Sequence, residues 1–460
     1  MTSRTALLLH TAGLATKYLE TIADRHVGAL ASGDDLRRQL AVPLSDTGEP
    51  ETAVIDALAL AGALGTVATQ GPRYYGFVVG GSVPAATAAD WLVSAWDQNA
   101  GVYVLSPVVS VVEDITAVWL KDLAGLPAGW STGFVTGCQA ANFTALATAR
   151  QHMLTKAGWD VEANGLYGAP WLHVVCSEES HYTIFNALKL LGLGAERVTK
   201  VPADEQGRMR ADELARTLDA LAGPTIVCAQ AGNVNSGAFD PIDEIATITS
   251  AHGAWLHVDG AFGLWAAASP ARAHLVKGIA RADSVATDAH KWLNVPYDSG
   301  VVFTAHPASH RRAMTLSAAY IIESAKERDP HEFVPEESRR ARAVPVYAAV
   351  RSLGRHGLGD LVERCCQLAA RLANQLRADS RLAILNDVVL NQVLVRLTTG
   401  PDPDAATRAM VDRLQQDGTC WASGTTWHGM AALRVSISNW STTEADVDRT
   451  ANAITRCTGS

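Results

Sequence analysis

Two stretches of this 460-residue sequence decide the fold: LHVDGA at residues 256–261 and SVATDAHKW at residues 284–292. Each begins as a short run of mostly apolar residues, which is typical of a strand buried on both faces. The first run ends at Asp259, and the second is followed by Asp288 and Lys291. If both strands belong to one parallel sheet, the carboxylate and the lysine lie at its carboxyl edge, where such sheets bind ligands.

Similar apolar runs occur on both sides of these two stretches, and helical stretches separate most of them. This alternation predicts a mostly parallel sheet covered by helices on both faces. The predicted strands are residues 171–176, 197–201, 225–230, 255–258, 284–287 and 301–304, and the predicted helices between them include 184–191, 211–221 and 241–251.

The rest of the chain suggests two further parts. Helical periodicity at 7–31 and 51–70 predicts a helical N-terminal arm over residues 1–80, followed by the large α/β domain over 81–345. Residues 346–460 read as a small α+β domain. Its predicted helices are 345–353, 358–376, 405–416 and one at the C-terminus, and its predicted strands are 382–385, 388–397 and 432–438. The charge-rich segment 311–343 predicts a mobile surface or active-site loop.

Composition excludes several classes of protein. The 38 Lys and Arg against 47 Asp and Glu give a net charge of −9, which disfavours nucleic-acid binding. No apolar run is long enough to span a membrane, and the N-terminal apolar run is too short for a secretory signal. Seven scattered cysteines without a CxxC pair indicate reduced thiols in the cytoplasm. HExxH and EF-hand patterns are absent, so no metal is expected.

The pair of Asp259 and Lys291 suits pyridoxal 5'-phosphate (PLP) chemistry. A lysine forms a Schiff base with the PLP aldehyde, and a carboxylate keeps the pyridine nitrogen protonated. Taken alone, either residue is more simply a strand-end acid or a solvated lysine. Two other segments strengthen the PLP interpretation.

The first segment is TGFVTGCQAAN at residues 132–142, which we interpret as a small-residue turn that opens a helix. Backbone N–H groups at a helix start bind phosphate, although a plain glycine-containing helix start explains the same pattern. The second is CSEESHYT at residues 176–183, which places His181 at the sheet edge. Its imidazole could stack on a flat cofactor ring, or it could simply face water at the start of a helix.

With these motifs in this order, the chain resembles the group II PLP-dependent amino-acid decarboxylases, the family of aromatic-amino-acid, glutamate and histidine decarboxylases. The resemblance implies the PLP fold type I (aspartate-aminotransferase-like) and decarboxylation of an L-amino acid with an apolar or aromatic side chain to the amine and CO2. It also implies a homodimer with shared active sites. The matching runs are 76–84, 106–126, 137–150, 181 onward, 232–240, 257–261, 288–292 and 433–446.

The resemblance also assigns roles to individual residues. Lys291 would carry the Schiff base, Asp259 would pair with the pyridine nitrogen, and His181 would stack on the ring and assist protonation. The remaining cofactor contacts are predicted around the phosphate (Gly137, Cys138, Gln139 and His290), under the ring (Ala261) and near the cofactor oxygens (Asn233 and Asp288).

Four residues are candidates for the substrate pocket. Tyr74, Tyr75 and Phe77 match the region that lines this pocket in the family, and an aromatic wall would suit an apolar or aromatic side chain. Core packing explains them equally simply. Arg434 lies in a C-terminal strand, where it could hold a substrate carboxylate or support a domain interface.

One departure from the family leaves the product open. The aromatic-amino-acid branch carries a proton-donating tyrosine on its mobile loop, but residues 323–342 contain no tyrosine. Tyr320, His331, Phe333, His181 or a residue of a partner subunit remain as candidate donors. The alternatives are therefore an aldehyde synthase, a lyase or a transaminase-like enzyme on the same scaffold. A non-catalytic binding homologue is a minor alternative, which the intact Lys291 argues against.

Overall fold

The computed structural model describes residues 3–315 and 327–459. The chain divides into two compact units: Met1–Val79, Ala370–Leu385 and Val393–Ser460 form the first, and Gly80–Ala369 and Asn386–Gln392 form the second. The division into an arm, a large domain and a small domain at residues 80 and 345 stays a prediction. None of the helices in the described residues is long and apolar enough to cross a membrane.

The secondary structure of the described residues alternates between helices and strands through the middle of the chain. The α-helices are α1 (Arg4–Glu20), α2 (Gly33–Leu40), α3 (Glu51–Gly65), α4 (Pro84–Trp96), α5 (Pro107–Leu123), α6 (Cys138–Lys156), α7 (Val161–Asn164), α8 (Tyr182–Leu190), α9 (Ala211–Asp219), α10 (Ile242–Ala251), α11 (Pro307–Met314), α12 (Ala343–Leu376), α13 (Pro403–Asp417) and α14 (Glu444–Cys457). The strands are β1 (Ser131–Val135), β2 (His173–Ser177), β3 (Thr199–Val201), β4 (Thr225–Gln230), β5 (Trp255–Asp259), β6 (Ser284–Asp288), β7 (Gly300–Thr304), β8 (Leu382–Ile384), β9 (Gln392–Leu397), β10 (Ser423–Trp427) and β11 (Met430–Ser436).

A seven-stranded sheet organises the second unit. Its strand order is β1-β7-β6-β5-β4-β2-β3. Strands β6, β5, β4, β2 and β3 are parallel to one another, whereas β7 is antiparallel to both β6 and β1. The predicted mostly parallel sheet is therefore confirmed, and the carboxyl ends of β4, β5 and β6 lie side by side.

The apolar side chains of the strands pack against helices that cover both faces of the sheet. Every residue of β4 is buried. Leu146 of α6 and Ile184 of α8 belong to one core cluster with Val174, Ile226 and Trp255 of three strands. This cluster holds α6 against the sheet, so that the start of the helix lies at the carboxyl edge.

A second, four-stranded sheet lies in the first unit, with the order β10-β11-β9-β8. Strands β10 and β11 form an antiparallel hairpin, and so do β8 and β9. Asp402 caps the start of helix α13, because its side chain accepts hydrogen bonds from the backbone N–H groups of Asp404 and Ala405. The helix is followed by Gly418, which has the left-handed conformation that favours glycine at a helix C-terminus.

Several predicted boundaries were wrong. Residues 132–142 are not one turn: β1 ends at Val135, and α6 begins already at Cys138. Strand β1 was missed because its regularity comes from pairing with β7 rather than from its own apolar pattern. Strand β10 was also missed. In contrast, both predicted helices at 345–353 and 358–376 are present within α12, which is broken between them at Gly354 (φ +64°).

The N-terminal helices are shorter than predicted, since α1 ends at Glu20 and α3 at Gly65. Between them lies the unpredicted helix α2. Its N-cap residue Ser32 and Asp35 form a reciprocal capping box, in which each side chain bonds the other residue's backbone N–H.

The predicted mobile loop is, in its described part, packed and anchored. Residues 327–342 include a 3-10 turn at Pro330–Phe333. Arg339 forms an ion pair with Glu113 of α5 at 2.6 Å, and both side chains are fully buried. Residues 316–326, including Tyr320, lie outside the described residues.

Candidate active site

Two carboxylates end neighbouring parallel strands at the centre of the sheet. Asp259 is the last residue of β5 and Asp288 the last of β6. The register places Asp259 opposite Ala286, so Asp288 lies two residues further along and on the same face of the sheet. The sequence therefore correctly predicted that the ends of these two strands meet.

Cys138 connects both carboxylates to the start of α6. Its backbone N–H donates to Asp288 Oδ1 at 2.6 Å, and its thiol donates to Asp259 Oδ1 at 3.4 Å. Burial raises the pKa of the Cys138 thiol, and the two carboxylates raise it further. The thiol therefore stays protonated and acts as a hydrogen-bond donor.

Lys291 points at the second carboxylate. Its Nζ lies 3.0 Å from Asp288 Oδ2. Burial favours the neutral amine and is the largest single effect on it, but the neighbouring groups, Asp288 foremost, together outweigh burial and hold the pKa of Lys291 above its usual value. The ion pair keeps the amine at the same edge of the sheet as Asp259.

His290 completes the surroundings of Asp288. Its Nε2 is 3.2 Å from Asp288 Oδ1, and its Nδ1 accepts a hydrogen bond from the backbone N–H of Ser299 at 3.1 Å. Burial lowers the pKa of His290, which favours the neutral ring. Because Nδ1 is the acceptor, Nε2 carries the ring proton and donates a hydrogen bond to Asp288. The ring also stacks on Tyr297, with centroids 4.2 Å apart.

Asp259 is fixed by three donors. Besides the thiol of Cys138, the backbone N–H of Ala261 donates to Oδ1 at 3.0 Å, and Asn142 Nδ2 donates to Oδ2 at 3.0 Å. Sequence reasoning gave Asn142 no role. The available signal was its spacing from Cys138, because residues i and i+4 share one face of a helix.

His181 is tied to the same cluster through Thr183. It is the N-cap residue of α8, and its Nδ1 lies 2.8 Å from Thr183 Oγ1. The same hydroxyl oxygen is 3.4 Å from Nδ2 of Asn142, the residue that bonds Asp259. The predicted trio of Lys291, Asp259 and His181 is therefore brought together in one unit.

The turn before α6 allows a close approach between backbones. A Cβ at Gly300, the first residue of β7, would overlap the backbone of Gly137. A Cβ at Gly137 would lie 3.1 Å from His290 Cε1 and 3.3 Å from Asp288 Oδ1. Gly137 therefore leaves room at the helix start, and Gln139, one residue into the helix, is exposed.

Asn233 provides an independent test of whether a polar cofactor fits. It follows β4, and its Oδ1 accepts hydrogen bonds from the backbone N–H groups of Asn235 and Ser236. Its Nδ2 is buried and has no hydrogen-bond partner among the described residues. An unpaired donor, a lysine and a fixed carboxylate at one edge of the sheet are a donor and acceptor set that suits PLP.

The four predicted substrate-pocket residues lie in the first unit. Tyr74 stacks on Trp421 with ring centroids 5.2 Å apart, and Phe77 is 60% exposed. Tyr75 is buried, and its hydroxyl is 3.2 Å from Thr450 Oγ1, as expected for core packing.

Arg434 is buried in β11. One terminal nitrogen donates to Ser423 Oγ at 3.4 Å, whereas Nε has no hydrogen-bond partner among the described residues. Burial lowers its pKa. Of the candidate proton donors, His331 and Phe333 lie in the 3-10 turn of the anchored segment, and His331 is buried. Phe333 is excluded as a donor because its phenyl ring carries no ionisable proton.

Known proteins resemble this chain in sequence. The family model described as the pyridoxal-dependent decarboxylase conserved domain matches residues 34–398. An acidic amino acid decarboxylase of Bos taurus is 31% identical over 360 residues, which cover 75% of this chain and 67% of that protein. A 4-hydroxyphenylacetaldehyde synthase of Rhodiola rosea is 25% identical over 453 residues, covering 94% of this chain and 90% of that protein.

A solved structure supports the fold. The structure of Oryza sativa TDC with PLP and tryptamine superimposes with a TM-score of 0.91 at 22% identity, over 99% of this chain and 97% of that one. At this identity the likeness shows the fold, which confirms the predicted fold class. Fold and site together define a PLP-dependent enzyme of fold type I. The chain belongs to the pyridoxal-dependent decarboxylase family, and it decarboxylates an amino acid with PLP as cofactor.

Proposed function

We propose that this enzyme converts an L-amino acid into the corresponding amine and CO2, with Lys291 as the residue that bonds the PLP aldehyde. One observation carries the assignment of the site: Lys291 is held by Asp288, and Cys138 joins Asp288 to Asp259. The amine and the carboxylate that PLP chemistry requires are thus parts of one hydrogen-bonded cluster.

PLP bound at this site would supply an electron sink for the electron pair released when the bond to the substrate carboxylate breaks. In the proposal, the carboxylate of Asp259 keeps a proton on the pyridine nitrogen. Its three donors from Cys138, Ala261 and Asn142 hold the carboxylate in place, and a carboxylate oxygen can accept this hydrogen bond.

Lys291 has to lose a proton before it can bond a carbonyl carbon, because only the neutral amine is nucleophilic. Asp288 Oδ2, 3.0 Å from Nζ, is positioned to share that proton. His290 Nε2 and the backbone N–H of Cys138 donate to the other oxygen, Oδ1. Asp288 therefore orients the amine within the proposed site.

The phosphate contacts form a second part of the proposal. Gly137 and Cys138 stand at the start of a 19-residue helix, where backbone N–H groups favour an anion. The N–H of Cys138 already bonds the Asp288 carboxylate. We therefore assign the phosphate to the backbone of Gly137 and Gln139, beside the ring of His290, whose own N–H bonds Asp288. Ala261 remains under the ring and Asn233 near a cofactor oxygen.

The substrate is proposed to carry an apolar or aromatic side chain. The stacked pair of Tyr74 and Trp421 and the exposed ring of Phe77 form an aromatic surface within the first unit, and such a surface suits an apolar or aromatic side chain. The named relatives differ, since one acts on acidic amino acids. Both predicted roles of Arg434, holding a substrate carboxylate or supporting a domain interface, stay predictions.

A homodimer with shared active sites is part of the proposal. Four apolar side chains on α5 are exposed at helical spacing, namely Val108, Val111, Ile115 and Val118. An exposed apolar stripe marks a contact surface, and two-fold symmetric dimers are the commonest closed assemblies. We also propose a cytoplasmic location, which the seven free, buried cysteines support.

An aldehyde synthase is the second candidate function. No tyrosine occurs in residues 323–342, and the Rhodiola rosea relative is named for an aldehyde product. The test is to incubate the PLP-loaded enzyme with the twenty common amino acids and several non-proteinogenic ones, while measuring CO2, oxygen, peroxide and product mass. An amine without oxygen uptake supports the main proposal. An aldehyde with oxygen uptake supports the second candidate, and no CO2 from any substrate contradicts both.

A further inference from the structure

A chain of four buried side chains lies behind Asp259. Trp255, His257 and Asp259 alternate along β5 and therefore share one face of the strand. Ser284 of β6 lies opposite His257 in the register. Asn142 of α6 contacts this face from the helix side.

The hydrogen bonds in this chain have a determined direction. Asp259 as a carboxylate only accepts, so Asn142 turns Nδ2 toward it at 3.0 Å and presents Oδ1 to His257 Nε2 at 2.9 Å. Because an amide oxygen only accepts, the proton of His257 is on Nε2.

The direction continues on the other side of the imidazole. Burial lowers the pKa of His257 to about 4, so the ring is neutral near pH 7 and Nδ1 is an acceptor. Nδ1 therefore accepts a hydrogen bond from the hydroxyl group of Ser284, whose Oγ is 2.9 Å away. Ser284 Oγ in turn accepts the indole N–H of Trp255 at 2.9 Å.

We propose that His257 is a positioning residue for the cofactor, acting through Asn142 to orient and polarise the carboxylate of Asp259. Every hydrogen bond from Trp255 to Asp259 points the same way, so each donor strengthens the next one. All four supporting side chains are buried, with His257 and Asn142 at 0% exposure, which excludes water as a competing partner. The proposal rests on the proposed pairing of Asp259 with the pyridine nitrogen.

The test compares PLP binding by the full-length apoenzyme and its variants, using absorbance titration. His257→Phe removes the donor to Asn142 and should weaken PLP binding roughly tenfold, or about 1.4 kcal/mol. His257→Gln can still donate to Asn142 and accept from Ser284, so its dissociation constant should stay within about twofold of the wild-type value. Equal binding by wild type and His257→Phe would overturn the proposal.

A double-variant cycle separates positioning from general destabilisation. In the Asp259→Ala background, His257→Phe should weaken PLP binding by less than about twofold, because its effect passes through Asp259. An equal loss in both backgrounds would contradict the proposal. If His257→Phe does not fold, the smaller change Ser284→Ala should weaken binding in the same direction, and only when Asp259 is present. No effect of Ser284→Ala would contradict the directed chain.

Failure of the proposed function gives a different result. In that case the wild-type enzyme would bind PLP but release no CO2 from any amino acid. The dissociation constants of the His257 variants do not depend on turnover, so they test the positioning role separately.

Discussion

The backbone N–H of Cys138 donates a 2.6 Å hydrogen bond to Oδ1 of Asp288, although 150 positions separate the two residues in the chain. This bond joins the start of α6 to the end of β6. The other carboxylate oxygen of Asp288 holds Lys291. The helix start that we expect to lie near the phosphate and the lysine that we expect to bond the aldehyde are thus connected through one side chain.

Asp288→Asn should let Lys291 bond PLP at a lower pH than in the wild type. The carboxylate holds the pKa of Lys291 above its usual value despite burial, and its removal should lower that pKa. The neutral amine would then form at lower pH, so the midpoint of the capture rate against pH should fall by about one unit. The rate of appearance of the protein-bound PLP absorption band measures this.

The matched control for this variant is Asp243→Asn, which removes a carboxylate paired with Lys277 and Arg281 at the surface. It should leave the midpoint where it is in the wild type. An unchanged midpoint in Asp288→Asn would show that Asp288 does not set the protonation of Lys291.

Asp259→Ala should weaken PLP binding but still hold the cofactor when PLP is saturating, and it should nearly abolish turnover. Without the carboxylate the pyridine nitrogen loses its partner, and CO2 release should fall by at least about 100-fold, as for the loss of one preorganised electrostatic contact. Stopped-flow or CO2 assays at saturating substrate measure this. Turnover within a few fold of the wild-type rate would mean that another group protonates the ring.

Gly300→Ala should disturb the start of α6. The added Cβ would overlap the backbone of Gly137, so one of the two segments has to move, at a cost of about 1–3 kcal/mol in unfolding free energy. PLP binding should weaken as well. Gly129→Ala is the control, because its Cβ would meet nothing within 4 Å. Urea unfolding and PLP titration check both effects, and equal behaviour of the two variants would contradict the close approach.

The buried pair of Glu113 and Arg339 should stabilise the anchored segment 327–342. Arg339→Met leaves Glu113 buried with only Arg328 at 3.3 Å, and should cost about 3–5 kcal/mol. Arg377→Met, at an exposed position, should cost less than about 0.5 kcal/mol. The double change Glu113→Gln with Arg339→Met should recover part of the loss. Denaturant unfolding that shows no difference between Arg339→Met and Arg377→Met would refute the anchoring role.

The apolar stripe of α5 should hold two copies together. Val108→Glu and Ile115→Glu each place a charge on it and should shift the molar mass in light scattering from dimer toward monomer. Leu190→Glu changes an exposed apolar residue of α8 and serves as the control. Leu190→Glu should leave the dimer intact. A wild-type monomer, or a dimer that neither Val108→Glu nor Ile115→Glu dissociates, would exclude this surface as the interface.

The sequence predicted the central sheet well because its strands are short, apolar and followed by polar residues. The same pattern located Asp259 and Lys291 at one edge. It could not predict β1, whose strand conformation depends on β7, nor that residues 327–342 are packed, because their anchor Glu113 lies more than 200 positions earlier. Local composition cannot report such pairings.

The supporting side chains of the site were missed for the same reason. Asn142 and His257 stood inside the motifs that we quoted, yet their roles depend on hydrogen bonds across 115 positions. A buried strand with Trp255, His257 and Asp259 on one face is a signal that sequence reasoning can use, since buried polar residues need partners.

The central claim is that Lys291 bonds PLP, and the most direct measurement is borohydride reduction of the PLP-loaded enzyme followed by peptide mass mapping. The account predicts a stable pyridoxyl adduct on the peptide that contains Lys291, and no adduct in folded Lys291→Ala. An adduct on another lysine in the wild type, or one that persists in Lys291→Ala, would contradict the account.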